Sequence, residues 1–336
     1  MTKIAILGGG SWGTALAIVL SRSHKPHDIS LWMRDSVPAE IINKSRENHL
    51  YLPGCPVPAG VQISNDLAET LMNADIVVGA MPAAHAREIY SRVLPFISNA
   101  SPVFVSATKG LEPSTHLRMS ELLAQLFGKL SPPPQIAVLS GPSFALEAAR
   151  EDPTAVVIAS QQASCAALIQ QEFAGPHFRI YTNEDVVGVE LAGAMKNVIA
   201  IAAGACQGLG LGANAIAALI TRGLAEMSRL ALALGARPET LSGLAGLGDL
   251  VLTCTGALSR NRQLGIELGK GRALNEILAN TRAVAEGVGT SAALLALAAE
   301  HRIELPITTQ VDAILHHGKS AREAITEIMD RPQKRE

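Results

Sequence analysis

The run Gly8-Gly9-Gly10-Ser11-Trp12-Gly13 constrains this chain more than any other stretch of it. It follows a near-continuous apolar segment, residues 3–7, and opens the helical run Thr14-Ala15-Leu16-Ala17-Ile18-Val19-Leu20. The glycines fall at GxGxxG spacing. In that spacing Gly8 permits a tight turn, Gly10 lets another group approach the backbone, and Gly13 lets the helix pack closely on the strand. The amino terminus of such a helix faces the turn and favours an anion. The pattern predicts the opening of a βαβ unit with a pyrophosphate at its turn. A glycine turn with only a structural duty is the alternative.

Further β-branched runs occur at 28–32, 75–80, 102–106, 135–139, 154–158 and 178–181, with helical stretches between them. Strand and helix alternating in this way predict a parallel, doubly wound α/β sheet of Rossmann type over residues 1–185. Beyond that point the strand pattern stops. Residues 186–330 read as Ala- and Leu-rich helices broken at Gly, an all-α domain, and 331–336 read as a polar tail. In the second domain Val288, Ser291, Ala292, Leu295 and Ala298 share one face at helical spacing. A chain of 336 residues exceeds one ordinary hydrophobic core, so two domains are expected.

Composition removes several function classes. A net charge of -2 supplies no basic field for nucleic acid and no polybasic anchor for a membrane. Cys55, Cys165, Cys206 and Cys254 are scattered without ligand spacing, so neither a structural metal nor a disulfide framework is expected, and a reducing cytoplasm fits. The opening residues run straight into a strand rather than a signal peptide. Residues 198–220 carry no charge and have the length of a membrane span. They are rich in Ala, include Gln207 and Asn214, and are broken by Gly204, Gly208, Gly210 and Gly212. A core helix, a glycine-rich bend and a second helix are expected instead of membrane insertion.

Polar groups gather where a fold alone does not need them. Arg34-Asp35 ends the second strand, where an Arg pairs with the 2′-phosphate of NADP and an acid with the ribose hydroxyls of NAD. Lys109 stands at the carboxyl end of another strand, the edge where open α/β sheets bind ligands. Ser140-Gly141-Pro142-Ser143-Phe144-Ala145 forms a further strand-to-helix turn. Ser259-Arg260-Asn261-Arg262, preceded by Asp249 and Thr253, offers an arginine fork with neutral donors, a set suited to phosphate, at a predicted helix start. Lys196 is the only charged residue between Glu190 and Arg222. Its apolar neighbours predict a buried helix, where an ammonium is costly unless paired or put to use. One reading is proton transfer; the other is a stem that snorkels to water.

The segments GGGSWGTALA, SATKGLE, LSGPSFA, ELAGAMKNVIAIAAG, GLGDLVLTCTGALSRNRQLG and AEGVGT occur in this order along nearly the whole chain. In them the sequence resembles the bacterial NAD(P)-dependent glycerol-3-phosphate dehydrogenases. The resemblance implies hydride transfer at C2 between dihydroxyacetone phosphate and sn-glycerol 3-phosphate, feeding phospholipid synthesis in the cytoplasm. It makes Lys196 the proton-transferring residue. Lys109, Gly141, Ser143, Asp249, Ser259, Arg260 and Asn261 become the substrate contacts, and beside them Asn197, to steady the substrate's oxygens, and Thr253 are expected at the same site. Gly8, Gly10, Ser11, Trp12, Gly13, Arg34, Lys109, Ala145, Arg260, Val284 and Glu286 become the contacts to NADP or NAD, with Arg34 leaning to NADP. No metal is implied, and a homodimer is compatible with an Ala-rich helical domain. Two rivals remain at this point: a related dehydrogenase acting on a carboxylate, which leaves Ser259 to Arg262 without a duty, and a non-catalytic dinucleotide sensor, which gives no reason to bury Lys196.

Overall fold

The computed structural model describes residues 1–97, 102–279 and 285–333. By packing, the chain divides into two compact units, Met1–Glu112 with Leu117–Glu190, and Pro113–His116 with Leu191–Glu336. In the first unit eight strands form one sheet: β1 Thr2–Leu7, β2 His27–Trp32, β3 Val61–Ser64, β4 Ile76–Gly79, β5 Val103–Ser106, β6 Ile136–Ser140, β7 Thr154–Ala159 and β8 Phe178–Asn183. Their order across the sheet is β3-β2-β1-β4-β5-β6-β7-β8. The strand sequence reverses between β1 and β4, the switch point at which Rossmann-type sheets bind ligands.

The sheet is covered on both faces, which explains its apolar strands. Along β1 the side chains alternate: Ile4 and Ile6 enter one core with Ala15, Leu16 and Ile18, whereas Ala5 and Leu7 enter the other with Tyr90, Phe104 and Phe127. The helix Ser11–Leu20 buries eight of its ten residues, so it lacks a polar face. In the second core Phe104 and Phe127 stack with centroids 4.6 Å apart, and Tyr90 meets both edge-on. Such aromatic pairs contribute about 0.5–1.5 kcal/mol each beyond area burial.

Two features depart from the sequence expectation. The sheet is mixed rather than parallel throughout, because β7 pairs antiparallel with β6. The connection between them holds only the five-residue helix Ala145–Ala149, too short to carry the chain back along the sheet for a parallel return. In addition, β3 was not foreseen. It has four residues, Val-Gln-Ile-Ser, and buries only Val61 and Ile63 on one face, a weak signal beside the turn residues before it.

The second unit is helical. The helix Val186–Gly208 is followed by a bend with Gly210 at φ +78° and then by the helix Ala213–Ala233. Among the described residues Val186–Gly208 is long and apolar enough to cross a membrane, and 94% of its apolar window is buried within the protein. Its glycines explain that burial. A methyl group at Gly204 or Gly208 would overlap the carbonyl oxygens of Arg262 and Ile266, and one at Gly265 or Gly269 those of Ile201 and Ala205. Val186–Gly208 and the helix Arg260–Gly269 thus touch backbone to backbone, as small-residue helix pairs do.

Elsewhere in this unit the buried carboxylate of Glu226 accepts from the backbone N–H groups of Ile307 and Thr308 at the start of the helix Pro306–His316. Burial pushes its pKa up, and those backbone donors offset only part of the shift. On the helix Gly287–Glu300 the buried side is Gly287, Thr290, Ser291, Ala293, Leu294 and Ala298, while Ala292 is exposed. Of the five residues expected to share a face, Ser291 and Ala298 are buried, Val288 and Leu295 are half-buried and only Ala292 is exposed. Residues 331–333 are exposed, and the rest of the polar tail lies outside the described residues.

The glycine contact gives a stability prediction. Gly265→Val should destabilise the second unit by about 3 kcal/mol or more in urea unfolding, since the obstacle is backbone. Gly289→Ala, whose added methyl meets nothing within 4 Å, should be neutral or stabilising by up to about 1 kcal/mol. Equal midpoints for Gly265→Val and wild type would contradict the close helix pair.

Candidate active site

In the first unit the chemistry lies at the carboxyl ends of the central strands. β1 ends at the glycine turn, β2 at Arg34, β5 at Lys109 and β6 at Gly141, and these strands run parallel. Gly8 has φ +121°, and a Cβ there would lie 2.9 Å from the Ala80 carbonyl group. A Cβ on Gly13 would overlap the Gly8 oxygen, so both positions exclude any side chain. At Gly10 nothing lies within 4 Å of an added Cβ, which leaves that side of the turn open. Gly10 also caps the helix Ser11–Leu20 without a side-chain hydrogen bond. The indole Nε1 of Trp12 is buried with no hydrogen-bond partner. An open backbone cradle, an uncapped helix terminus and an orphaned donor fit a dinucleotide phosphate.

Lys109 reaches from its loop to β6. Its Nζ donates to the Gly141 carbonyl at 2.9 Å and approaches Ser143 Oγ at 3.5 Å. Ser143 Oγ also donates to the Gly141 oxygen at 2.9 Å, so the structure gathers Lys109, Gly141 and Ser143 into one cluster. Ala145 begins the short helix just beyond it. Thr108 Oγ1 donates to the Met81 carbonyl at 2.7 Å, fixing the Lys109 loop to the end of β4. Arg34 projects with its side chain 59% exposed and lies 3.5 Å from Asp35.

The second unit holds the other polar cluster. Lys196 is buried, its side chain only 7% exposed, so it does not snorkel to water. Its Nζ donates to Thr253 Oγ1 at 2.9 Å and lies 3.2 Å from Asp249 Oδ1. Thr253 in turn donates to the Asp249 carbonyl at 2.6 Å. A π-helical turn, Leu244–Gly248, precedes Asp249 and sets it at the head of the helix Asp249–Thr255. Such turns often mark functional positions. Burial pushes the pKa of neighbouring Cys254 up to about 12 against the opposing charge of Lys196, which disfavours a reactive thiolate there.

Asn197, the residue directly after Lys196, enters a ladder of amides. Asn261 Nδ2 donates to Asn197 Oδ1 at 3.0 Å, and Asn261 Oδ1 accepts from the Gly287 N–H at 3.0 Å. Asn197 Nδ2 lies 3.3 Å from Glu286 Oε2. Ser259 caps the helix Arg260–Gly269, its hydroxyl accepting from the Arg262 N–H at 3.2 Å. Arg260 is exposed, unlike Ser259 and Asn261 on either side of it. Val284 lies outside the described residues.

Sequence reasoning passed over two groups. Glu190, buried six residues before Lys196, accepts from Arg118 at 2.8 Å and from the Ser120 N–H at 2.8 Å. Burial raises its pKa, and Arg118 and Ser120 oppose that. Asn48, in the loop after β2 and its helix, bonds the glycine turn. Only its place in a polar loop stretch marked it, a pattern too common to single it out.

A glycine-turn sheet unit and a helical unit with a buried lysine–aspartate pair define a two-unit dehydrogenase of the nicotinamide type. Comparison with known proteins narrows this. Residues 3–166 match the NAD-dependent glycerol-3-phosphate dehydrogenase amino-terminal family, and residues 185–326 match its carboxy-terminal counterpart. Relatives named glycerol-3-phosphate dehydrogenase [NAD(P)+] include one from Koribacter versatilis, 53% identical, covering 99% of this chain and 98% of its own. Another, from Myxococcus xanthus, is 49% identical over 99% of this chain and 98% of its own. A crystal structure of glycerol-3-phosphate dehydrogenase from Coxiella burnetii superposes with a TM-score of 0.92 at 41% identity, covering 98% of this chain and 99% of that one. This chain belongs to the NAD(P)-dependent glycerol-3-phosphate dehydrogenase family.

Proposed function

We propose that this chain interconverts dihydroxyacetone phosphate and sn-glycerol 3-phosphate, with Lys196 as the group that moves the proton at the C2 oxygen. The observation that carries the reading is the Lys196 amine itself, buried and held by Asp249 and Thr253. Burying an ion costs several kcal/mol that pairing only partly offsets, so a buried lysine–aspartate pair is a poor choice as a purely structural device. When bound, the dinucleotide supplies the hydride to C2 or takes it back. In the reducing direction the Lys196 ammonium donates a proton to the C2 oxygen as negative charge develops there. In the oxidising direction the neutral amine accepts the hydroxyl proton. Asp249 steadies the charged form, and Thr253 fixes the direction of Nζ.

The remaining assignments follow from residue chemistry. Gly8, Gly10, Ser11, Trp12 and Gly13 would hold the dinucleotide phosphates, with Ala145, Val284 and Glu286 as further contacts. Lys109, Gly141 and Ser143 are assigned to the substrate in the first unit, and Asn197, Ser259, Arg260 and Asn261 in the second. Arg260 is assigned to both phosphate and dinucleotide, and Lys109 likewise to both ligands. Exposed Arg34 favours NADPH, since a guanidinium pairs well with a 2′-phosphate. The proposed domain limits are 1–185 and 186–330, followed by the tail. We place the product in phospholipid synthesis and the protein in the cytoplasm, without membrane insertion or nucleic-acid binding, as the net charge of -2 supports. A homodimer is proposed on the exposed Leu211 and Leu232 that flank and end the helix Ala213–Ala233.

Two variants test the scheme in a steady-state assay with dihydroxyacetone phosphate, run with NADH and NADPH side by side. Lys196→Ala should lose about 10²- to 10⁴-fold in kcat while still binding dinucleotide. Turnover close to wild type would remove Lys196 from the chemistry. Arg260→Ala should raise KM for dihydroxyacetone phosphate about tenfold or more, through loss of a charged phosphate contact. An unchanged KM would move the phosphate site elsewhere.

A further inference from the structure

Asn48 belongs to none of the residue sets above, yet its side chain is spent on the glycine turn. It is 1% exposed. Its Nδ2 donates to the Gly9 carbonyl at 2.9 Å and to Thr14 Oγ1 at 2.8 Å, and its Oδ1 accepts from the Tyr51 N–H at 3.2 Å. Ser11 Oγ adds a second tie by donating to the Tyr51 carbonyl at 2.7 Å. The loop after the helix Ser36–Ser45 therefore grips both the turn and the first residues of the helix it opens.

That loop is itself well anchored. Arg46 has a left-handed φ of 54°, which swings the chain out of its helix. The Val57 N–H donates to the Arg46 carbonyl at 2.7 Å, and the Arg46 guanidinium donates to the carbonyls of Pro58 and Val61. The Leu52 N–H donates to the Asn48 carbonyl at 2.8 Å, and Leu52, Cys55 and Val57 are each 2% exposed in the core. A loop closed on itself and sunk into the core gives Asn48 a fixed base.

Gly9 C=O and Gly10 N–H belong to a single peptide plane. In a trans peptide they point in opposite directions, so fixing the oxygen fixes the N–H. Between two glycines that plane turns more easily than between residues that carry side chains. From these ties we infer that Asn48 is a positioning residue for the dinucleotide, locking the Gly9–Gly10 peptide with its N–H directed away from the loop and towards the open side of the turn. This rests on the proposed dinucleotide site. The Thr14 hydroxyl, which accepts the second Nδ2 hydrogen, keeps the amide from rotating.

The test is a fluorescence titration of NADH and NADPH into wild type, Asn48→Ala, Asn48→Asp and Thr14→Val, with KM for dihydroxyacetone phosphate and melting temperature measured beside it. Asn48→Asp keeps the shape but sets a carboxylate against the Gly9 oxygen. Both Asn48 variants should weaken dinucleotide binding about tenfold or more, with KM for dihydroxyacetone phosphate within about twofold of wild type. Thr14→Val should cost about threefold, and it keeps the inference testable if neither Asn48 variant folds. Unchanged dinucleotide affinity in the folded variants overturns the inference while leaving the dinucleotide site in place. Parallel losses in affinity, KM and melting temperature overturn it too, since they mark a purely structural amide. Wild type that binds neither dinucleotide overturns both the inference and the site.

Discussion

An ammonium held inside protein by one carboxylate is the constraint on which this structure turns. Lys196 gives up water and receives Asp249 and Thr253 in exchange. Removing the partner of a buried charge commonly costs about 3–5 kcal/mol, so Asp249 must arrive at a fixed place. The π-helical turn before it and the helix that starts with it provide that delivery. The backbone contact between Val186–Gly208 and Arg260–Gly269 does the same for the next layer, setting Asn197 within 3.0 Å of Asn261. The small residues that make the lysine helix look like a membrane span are the ones that let its neighbour come this close.

The first unit meets a related problem with cations that are not fully buried, Arg34 being exposed and Lys109 half-buried. Here the parallel strands end together, and the loops that follow β1, β2, β5 and β6 bring glycine N–H groups and two cations to one edge of the sheet. A chain with a net charge of -2 does not attract a phosphorylated substrate by its overall field. Local clusters must do so. Under the proposed function Lys109 and Arg34 in the first unit and Arg260 in the second would be such local charges, Lys109 standing beside the Gly141 carbonyl and the Ser143 hydroxyl. That distribution agrees with a small phosphate ligand and not with a polyanion.

Much of this was legible in the sequence because the strongest signals were local. The glycine spacing, the strand before it and the apolar neighbours of Lys196 are each read from one short stretch of chain, and each appears in the structure. A helix start at the Ser259-Arg260-Asn261-Arg262 run was legible for the same reason. What escaped depends on distant partners. The direction of β7 depends on how short its connection is in space, and β3 depends on neighbours across the sheet rather than on its own four residues. Glu190 and Asn48 were missed because their value lies in partners 70 and 39 residues away.

The most direct test of the account is chemical rescue of Lys196→Ala by small primary amines in the reduction of dihydroxyacetone phosphate. An amine that restores turnover in proportion to the concentration of its ammonium form would show that the missing group is a proton donor. The account predicts that recovery, with larger amines less effective than methylamine as the buried space excludes them. Residual turnover that ignores every amine, at a rate near that of wild type, would contradict it.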